Sequence, residues 1–271
     1  MEEQTLSLIM RSWSWNPVIL VGLLLAAASY AFGFYYLHRH GRLQGLIQRG
    51  LIRQRQPWLF VAGLAALVIA LLSPIDTLAN MLFLAHMVQH VLLMMVAPPL
   101  LLLGLPSPLV RLFILETRVR GILERVTNPV AGYLLFNANL WLWHFPPAYE
   151  AALRNELIHD LEHALFFYTA ILFWWRVIEP TGGWFPLWRW PPAKWLYLIV
   201  AAPPTYLLGS ILWSSSTVFY PYYTQVPRLW GLSALADQQA GGFIMWIQGW
   251  MYVMLSLLVF FLWYEPEKEQ V

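Results

Sequence analysis

Seven apolar stretches divide this chain, and most of them approach the length needed to cross a lipid bilayer. A membrane-spanning helix requires about 20 apolar residues. The 271 residues are 59% hydrophobic and only 11% charged, whereas soluble domains contain roughly 25% charged residues. The stretches comprise residues 17–37, 57–73, 78–103, 130–144, 159–178, 195–213 and 240–263. They lack the alternation of a membrane β-barrel, so they must be helices. We predict an all-α polytopic membrane protein: a single domain, residues 1–271, with seven transmembrane helices.

The basic residues are distributed unevenly between the two sides of this predicted bundle. Thirteen of the 16 lysines and arginines lie in the first, third and fifth loops and in the C-terminal tail. Arg11, Arg154 and Arg228 lie on the opposite side. Because basic loops are retained in the cytoplasm, the N-terminus is predicted to lie outside and the C-terminus in the cytoplasm. We expect the helices to be surrounded by membrane lipid, and we expect no nucleic-acid partner.

Four of the seven histidines form two pairs with helical spacing, His86 with His90 in HMVQH and His159 with His163 in HDLEH. Residues four apart lie on the same face of a helix, so each pair can present two imidazoles to one metal ion. A second buried imidazole on the same face adds to the cost of burial without improving packing. The two pairs are therefore predicted to bind metal, with a polar packing network as the alternative.

Further polar residues are predicted at the same, outer end of the bundle. His144 ends the fourth stretch, while Asp76 and Asp237 precede the third and the seventh. We predict that His144 is an entry or auxiliary ligand near the surface, although a single histidine at a helix end is often only an interfacial residue. Asp237, Asp160 and Glu162 are expected to orient the imidazoles or to stabilise a buried cation.

The absence of cysteine restricts the metal chemistry. It excludes disulfides, thiolate metal sites and catalytic thiols. A metal ion must then be held by histidine, methionine, carboxylate or carbonyl groups. Imidazoles with nearby methionine thioethers would suit copper, in either oxidation state, or zinc.

The two histidine motifs leave several classes of function open. HMVQH has Met87 where zinc proteases of the HExxH type have their general base. HDLEH matches the H-x-x-E-H pattern, in which Glu162 would be the base, but so short a match arises easily by chance. An intramembrane metal-dependent hydrolase or oxidoreductase, a haem protein and a metal transporter are therefore alternatives to a non-catalytic metal-binding protein.

These residues lie in segments that resemble the CtaG-type assembly factors of bacterial caa-type cytochrome c oxidases. The resemblance is carried by HMVQHVLLMMVAPPLLLLGLP (86–106), LWLWHFPPAYEAAL (140–153), HDLEHALFFYTAILFWW (159–175) and ADQQAGGFIMW (236–246). Together the segments cover most of the third to seventh predicted helices. The first two helices carry little that is diagnostic.

The resemblance implies a multi-pass protein of the bacterial plasma membrane that is needed to produce an active haem–copper oxidase. Such a protein would receive copper from an upstream donor and deliver it to the cytochrome c oxidase subunits. Carried over to this chain, the pattern of the family corresponds to His86, His90, His144, His159, His163 and Asp237. We therefore expect a copper ion, with zinc as the alternative, at a site formed by the five histidines.

Overall fold

The computed structural model describes residues 7, 9–114, 119–180 and 191–263. Within these ranges the chain forms helices and turns and contains no β-strand, which confirms the all-α prediction. Five helices are long and apolar enough to cross a membrane. The chain is therefore a helical membrane protein, while the full set of seven spans and the orientation of the termini stay predictions.

Where the connections are described, most α-helices are joined by short turns, apart from residues 215–233 before the last helix, which contain the 3-10 helix Pro221–Thr224. In chain order they are α1 (Pro17–Arg39), α2 (Leu43–Gln48), α3 (Gln56–Leu71), α4 (Pro74–Ala79), α5 (Phe83–Gly104), α6 (Ser107–Ile114), α7 (Val119–Val126), α8 (Pro129–His144), α9 (Pro146–Arg154), α10 (Glu156–Ile178), α11 (Pro191–Ser214) and α12 (Ala234–Trp263). The five long apolar helices are α1, α5, α10, α11 and α12. Helices α3 and α8, at the second and fourth predicted spans, have 16 residues each. Their length of about 24 Å is less than a hydrocarbon core of about 30 Å.

Two helices begin five or six residues away from the predicted position, and the other differences are smaller. The third span begins at Phe83 rather than at residue 78, because the short helix α4 ends at Ala79 and Leu82 adopts an extended backbone. The last helix begins at Ala234 rather than at residue 240. Its first turn is stabilised by the side chain of Ser233, which accepts a hydrogen bond from the backbone of Ala236.

Helix α5 contains a π-helical turn at Leu92–Val96, directly before Pro98 and Pro99. Proline has no backbone N–H to donate to the carbonyl four residues earlier, so Pro98 leaves the carbonyl of Met94 free. That carbonyl accepts a hydrogen bond of 2.7 Å from the indole Nε1 of Trp174 on α10. The proline pair thereby helps to join α5 to α10, the two helices that carry the histidine pairs.

Helices α11 and α12 approach each other closely through glycines. A Cβ atom added at Gly209 would lie 2.5 Å from the backbone nitrogen of Trp246. A Cβ atom added at Gly242 would lie 2.5 Å from the backbone nitrogen of Trp213. Small residues permit this backbone contact, which is typical of helix packing in membranes.

The bundle is apolar on much of its outer surface and holds a cluster of buried polar side chains inside. Large apolar side chains such as Leu157 and Trp58 are 78% and 77% exposed, as expected for residues that face lipid. Several polar side chains are almost completely buried: His86, Gln89, His90, Glu162, Asp237 and Gln238. Because buried ionisable groups in a membrane are costly, this interior cluster is the candidate functional site.

Candidate metal centre

The structure brings the five predicted histidines together at one end of the bundle. Helix α5 provides His86 and His90, helix α10 provides His159 and His163, and the last residue of α8 is His144. The ring centroids are separated by 4.4 Å for His86 and His90, 4.1 Å for His159 and His163, 5.3 Å for His86 and His159, 5.6 Å for His90 and His163, and 5.9 Å for His90 and His144. All five are buried. Imidazoles from three helices therefore share one pocket.

Glu162 lies among the imidazoles and not behind them. One of its carboxylate oxygens, Oε1, is 3.8 Å from Nε2 of His86 and 3.5 Å from Nε2 of His90. The two Nε2 atoms are 2.9 Å apart. A point equidistant from these three atoms lies about 2 Å from each, close to the length of a bond from zinc to imidazole or carboxylate. Glu162 thus lies close enough to be a direct ligand of an ion held by both imidazoles, whereas its sequence motif suggested a base or an orienting group.

A second group of possible ligands overlaps the first. His86, His159 and His163 can each contribute one atom to a set whose members all lie within 4.8 Å of one another. His86 belongs to both groups, which we call the inner group (His86, His90, Glu162) and the outer group (His86, His159, His163). Since the two groups share one imidazole, they are neighbouring positions within a single centre.

The end of α8 holds His144 in one tautomer. Its Nδ1 lies 2.7 Å from the carbonyl oxygen of Leu140. A carbonyl only accepts hydrogen bonds, so Nδ1 carries the hydrogen and the Nε2 atom of the neutral ring has a free lone pair. His144 belongs to neither group of three, but its ring adjoins that of His90. The ring is buried, and its role as an entry or auxiliary ligand stays a prediction.

Tyrosines from α9 and from the α11–α12 connection close one side of the centre. The hydroxyl of Tyr223 lies 3.0 Å from the carbonyl of Ala79, 3.1 Å from the hydroxyl of Tyr149 and 3.4 Å from Nδ1 of His86. Burial raises the pKa of both tyrosines well above the ordinary value, so both hydroxyls keep their protons. If Tyr223 donates to Ala79, its oxygen is left to accept from Nδ1 of His86, and the lone pair of that ring then lies on Nε2.

Six buried polar atoms of the centre have no hydrogen-bond partner within the described ranges. They are Nδ1 of His90, Nε2 of His144, His159 and His163, and both carboxylate oxygens of Glu162. A buried polar group left without a partner costs about 1–3 kcal/mol, and more if it is charged. A polar packing network would pair these atoms with donors or acceptors, whereas a cation between them would satisfy several at once. Their nitrogen and oxygen donors fit copper(II) or zinc.

Asp237 has a different role from the one expected. Its carboxylate accepts hydrogen bonds from the backbone nitrogens of Phe83 (3.0 Å) and Leu84 (2.9 Å), and it forms an ion pair of 3.0 Å with Arg228. It therefore binds the first, otherwise unpaired amides of α5. Asp237 positions the helix that carries His86 and does not orient an imidazole.

Asp160 also differs from the expectation. It is exposed and lines a cavity together with Asp76, His159 and His163. Asp76 accepts a hydrogen bond of 2.9 Å from Nε2 of Gln89. Burial raises the pKa of Asp76 above the ordinary value, although the hydrogen bond from Gln89 opposes this shift. Asp160 is thus placed at the approach to the imidazoles and not behind them.

Sequence reasoning did not select the tyrosines or Gln89. The segment FYPYY contains Tyr220 and Tyr223, and Tyr220 donates a hydrogen bond of 2.9 Å to the carbonyl of His144. Aromatic residues near the ends of membrane helices usually belong to an interfacial belt, so their number alone carried no signal. Gln89 lies one residue before His90, and its polarity within an apolar stretch was the only clue in the sequence.

A helical membrane protein with a buried centre of histidines and one glutamate is the class of protein that this fold and site define. The chain belongs to the family described as cytochrome c oxidase caa3 assembly factor, whose sequence model matches residues 28–266.

The chain is also similar to longer mycobacterial proteins. Uncharacterized proteins of Mycobacterium bovis and Mycobacterium tuberculosis are each 28% identical to it over 262 residues, which cover 89% of this chain and 38% of each relative. An uncharacterized protein of Mycobacterium leprae is 24% identical over 251 residues, or 86% of this chain and 36% of the relative. The chain thus spans less than two-fifths of the length of these relatives. No solved structure matches the chain.

Proposed function

We propose that the protein binds a copper ion at the buried histidine centre and delivers it to a haem–copper cytochrome c oxidase during assembly. The observation that carries this proposal is the convergence of five buried imidazoles and the Glu162 carboxylate, with six polar atoms that have no hydrogen-bond partner among the described residues. Membership of the oxidase assembly family supports the oxidase as the recipient. An upstream donor would supply the ion.

The composition of the centre suits copper or zinc as the cargo, and membership of an oxidase assembly family favours copper. Imidazole nitrogen suits copper and zinc alike, whereas the harder cations magnesium and calcium prefer oxygen ligands. Inner and outer groups that share His86 give an ion two alternative sets of ligands. A protein that passes its ion on must not enclose it permanently, as a structural metal site does.

The distribution of charge supports delivery from the outside of the bacterial plasma membrane. Thirteen basic residues on one side predict that this side faces the cytoplasm. The centre then lies in the outer half of the bundle, because α10 begins at Glu156 on the opposite side and carries both of its histidines in the first two turns. Copper that arrives from outside the cell would reach this end first.

The proposal can be tested on the oxidase. In cells whose copy of this gene is deleted, we expect the isolated oxidase to retain haem but to contain less copper per haem than the oxidase of wild-type cells. Re-expression of the wild-type chain should restore the ratio. Metal analysis by mass spectrometry and haem spectra of the same samples give both quantities. An oxidase with the full copper-to-haem ratio in the deleted cells would contradict the proposal.

The alternative of an enzyme depends on Glu162 as a base. Expression of a Glu162 variant in the deleted cells distinguishes an enzyme from a copper-binding protein. Glu162→Gln keeps the side-chain volume and one oxygen donor but removes the basicity. For a copper-binding protein we expect weaker retention of copper in competition with a chelator, because the amide keeps an oxygen donor but loses the negative charge, and partial recovery of oxidase copper. Unchanged copper affinity combined with complete loss of oxidase copper would favour an enzyme.

A further inference from the structure

A polar cavity of about 300 Å³ leads from the surface of the protein to the histidine centre. It lies where α3 ends and α1 and α10 begin, since its lining includes Leu71, Asn16 and Asn155. We propose that this cavity is the port through which the metal ion enters and leaves, and that the carboxylates lining it form a transient site for a partly hydrated copper cation. The inference rests on the proposed function, because it concerns the same ion.

Two ligands of the outer group open directly onto the cavity. His159 and His163 line it, although the two residues are only 9% and 5% exposed. The Nε2 atom of each is buried and has no hydrogen-bond partner within the described ranges. These two imidazoles are therefore available to an ion that comes from the cavity. Glu162, in the inner group, is fully buried and does not line the cavity.

Helix α10 places carboxylates in front of the same imidazoles. Glu156, His159, Asp160 and His163 have the spacing of one helical face, and all four line the cavity. Acidic residues in a first turn also stabilise a helix through its dipole, so this pair of carboxylates alone would not indicate a site. The buried imidazoles behind them supply the second observation, because they offer unpartnered nitrogen atoms to whatever cation the carboxylates attract.

A third carboxylate reaches the cavity from a different helix. Asp76 on α4 lines it and is held in place by Gln89, whose Nε2 donates to Asp76 (2.9 Å) and to the carbonyl of Ala70 (2.8 Å). Gln89 is itself fully buried and precedes the ligand His90. The position of Asp76 is therefore set by the helix that carries the inner ligands.

The charge and size of the cavity suit a cation. Among the described lining residues Arg154 carries the only positive charge, and its guanidinium forms an ion pair of 2.9 Å with Glu150. Three carboxylates and one paired guanidinium give a negative potential, which attracts cations and raises their association rate. Because a water molecule occupies roughly 30 Å³, the cavity has room for an ion with part of its hydration shell.

The test compares rates of copper binding with the amount bound. We expect Glu156→Gln, Asp160→Asn to slow the association of Cu(II) at low ionic strength by about 10-fold or more, while the copper content at saturation stays at the wild-type value. Stopped-flow quenching of tryptophan fluorescence measures the rate, and metal analysis measures the content. Both side chains are exposed, so folding should be unaffected. Asp76→Asn, which can still accept from Gln89, provides a second variant.

The matched control is Glu124→Gln on α7, which precedes α8 and therefore lies at the opposite end of that helix from His144. Its association rate should equal that of the wild type. If the cavity variants bind copper as fast as the control, the cavity is not the entry port, while the proposed function stands. If the wild-type protein binds no copper, the port and the proposed function both fail.

Discussion

The double substitution His86→Ala, His90→Ala is expected to abolish copper binding by the purified protein. His86 belongs to both the inner and the outer group, and His90 contributes the Nε2 atom 2.9 Å from that of His86. Their removal leaves Glu162 as the only member of the inner group and takes one ligand from the outer group. Loss of an orienting partner alone typically lowers metal affinity 10–100-fold, so the loss of two direct ligands should have a larger effect. Metal analysis after copper loading and gel filtration gives the copper content.

The chain offers a control that also removes two histidines. His38 and His40 lie at the end of α1 and are exposed, and His40 bonds to the carbonyl of Tyr36. His38→Ala, His40→Ala should retain the wild-type copper content. A thermal unfolding curve for each variant separates loss of the site from loss of the fold. Equal copper contents in the two double variants would overturn the assignment of the centre.

Gly242→Leu is expected to prevent correct packing of α11 against α12. A Cβ atom at Gly242 would lie 2.5 Å from the backbone nitrogen of Trp213 and 2.8 Å from Cβ of Leu212. A larger side chain would therefore have to displace backbone atoms of α11 as well as a side chain. Overpacking of a core costs about 1–3 kcal/mol or more. For a protein of this size each kcal/mol lowers Tm by roughly 2–4 °C. Thermal unfolding in detergent, followed by gel filtration, measures the change.

Gly22→Leu is the matched control for that substitution. Gly22 lies in α1, is exposed, and has no atom within 4 Å of an added Cβ. The same side chain placed there should face lipid and leave Tm unchanged within about 2 °C, since surface substitutions usually change stability by less than 0.5 kcal/mol. If both variants unfold at the same temperature, the close contact between α11 and α12 is not present in the folded protein.

The histidine pairs were predictable because their spacing depends only on helix geometry. Once α5 and α10 form, His86 and His90 share a face, as do His159 and His163. The position of Glu162 between two imidazoles, rather than behind one of them, was not predictable. Glu162 lies about 60° around α10 from His159 and about 100° from His163, so the rotation of α10 against α5 decides whether it contacts the ion or an imidazole. That rotation depends on packing between helices.

The role of Asp237 could not be predicted from the sequence, for a similar reason. The first amides of any helix need acceptors, but nothing in a sequence indicates which helix an aspartate 154 residues away from Phe83 will cap. Tyr149 lies in the nine-residue helix α9, and Tyr220 and Tyr223 lie beside or in the single 3-10 turn Pro221–Thr224. These segments are too short for a periodicity to report which side chains turn inward. Asp160 shares the face of the histidines, but the cavity that exposes it is also lined by residues of four other helices, α1, α3, α4 and α9.

Copper K-edge X-ray absorption on the copper-loaded protein tests the central claim most directly, because the spectrum reports the atoms bound to the ion. We expect a nearest shell of nitrogen or oxygen atoms at about 2.0–2.2 Å, followed by the outer scattering of several imidazole rings. Substitution of His86 and His90 should remove that signal. A nearest shell of sulfur from methionine at about 2.3 Å, or oxygen neighbours without imidazole scattering, would contradict a histidine-bound copper ion in this protein.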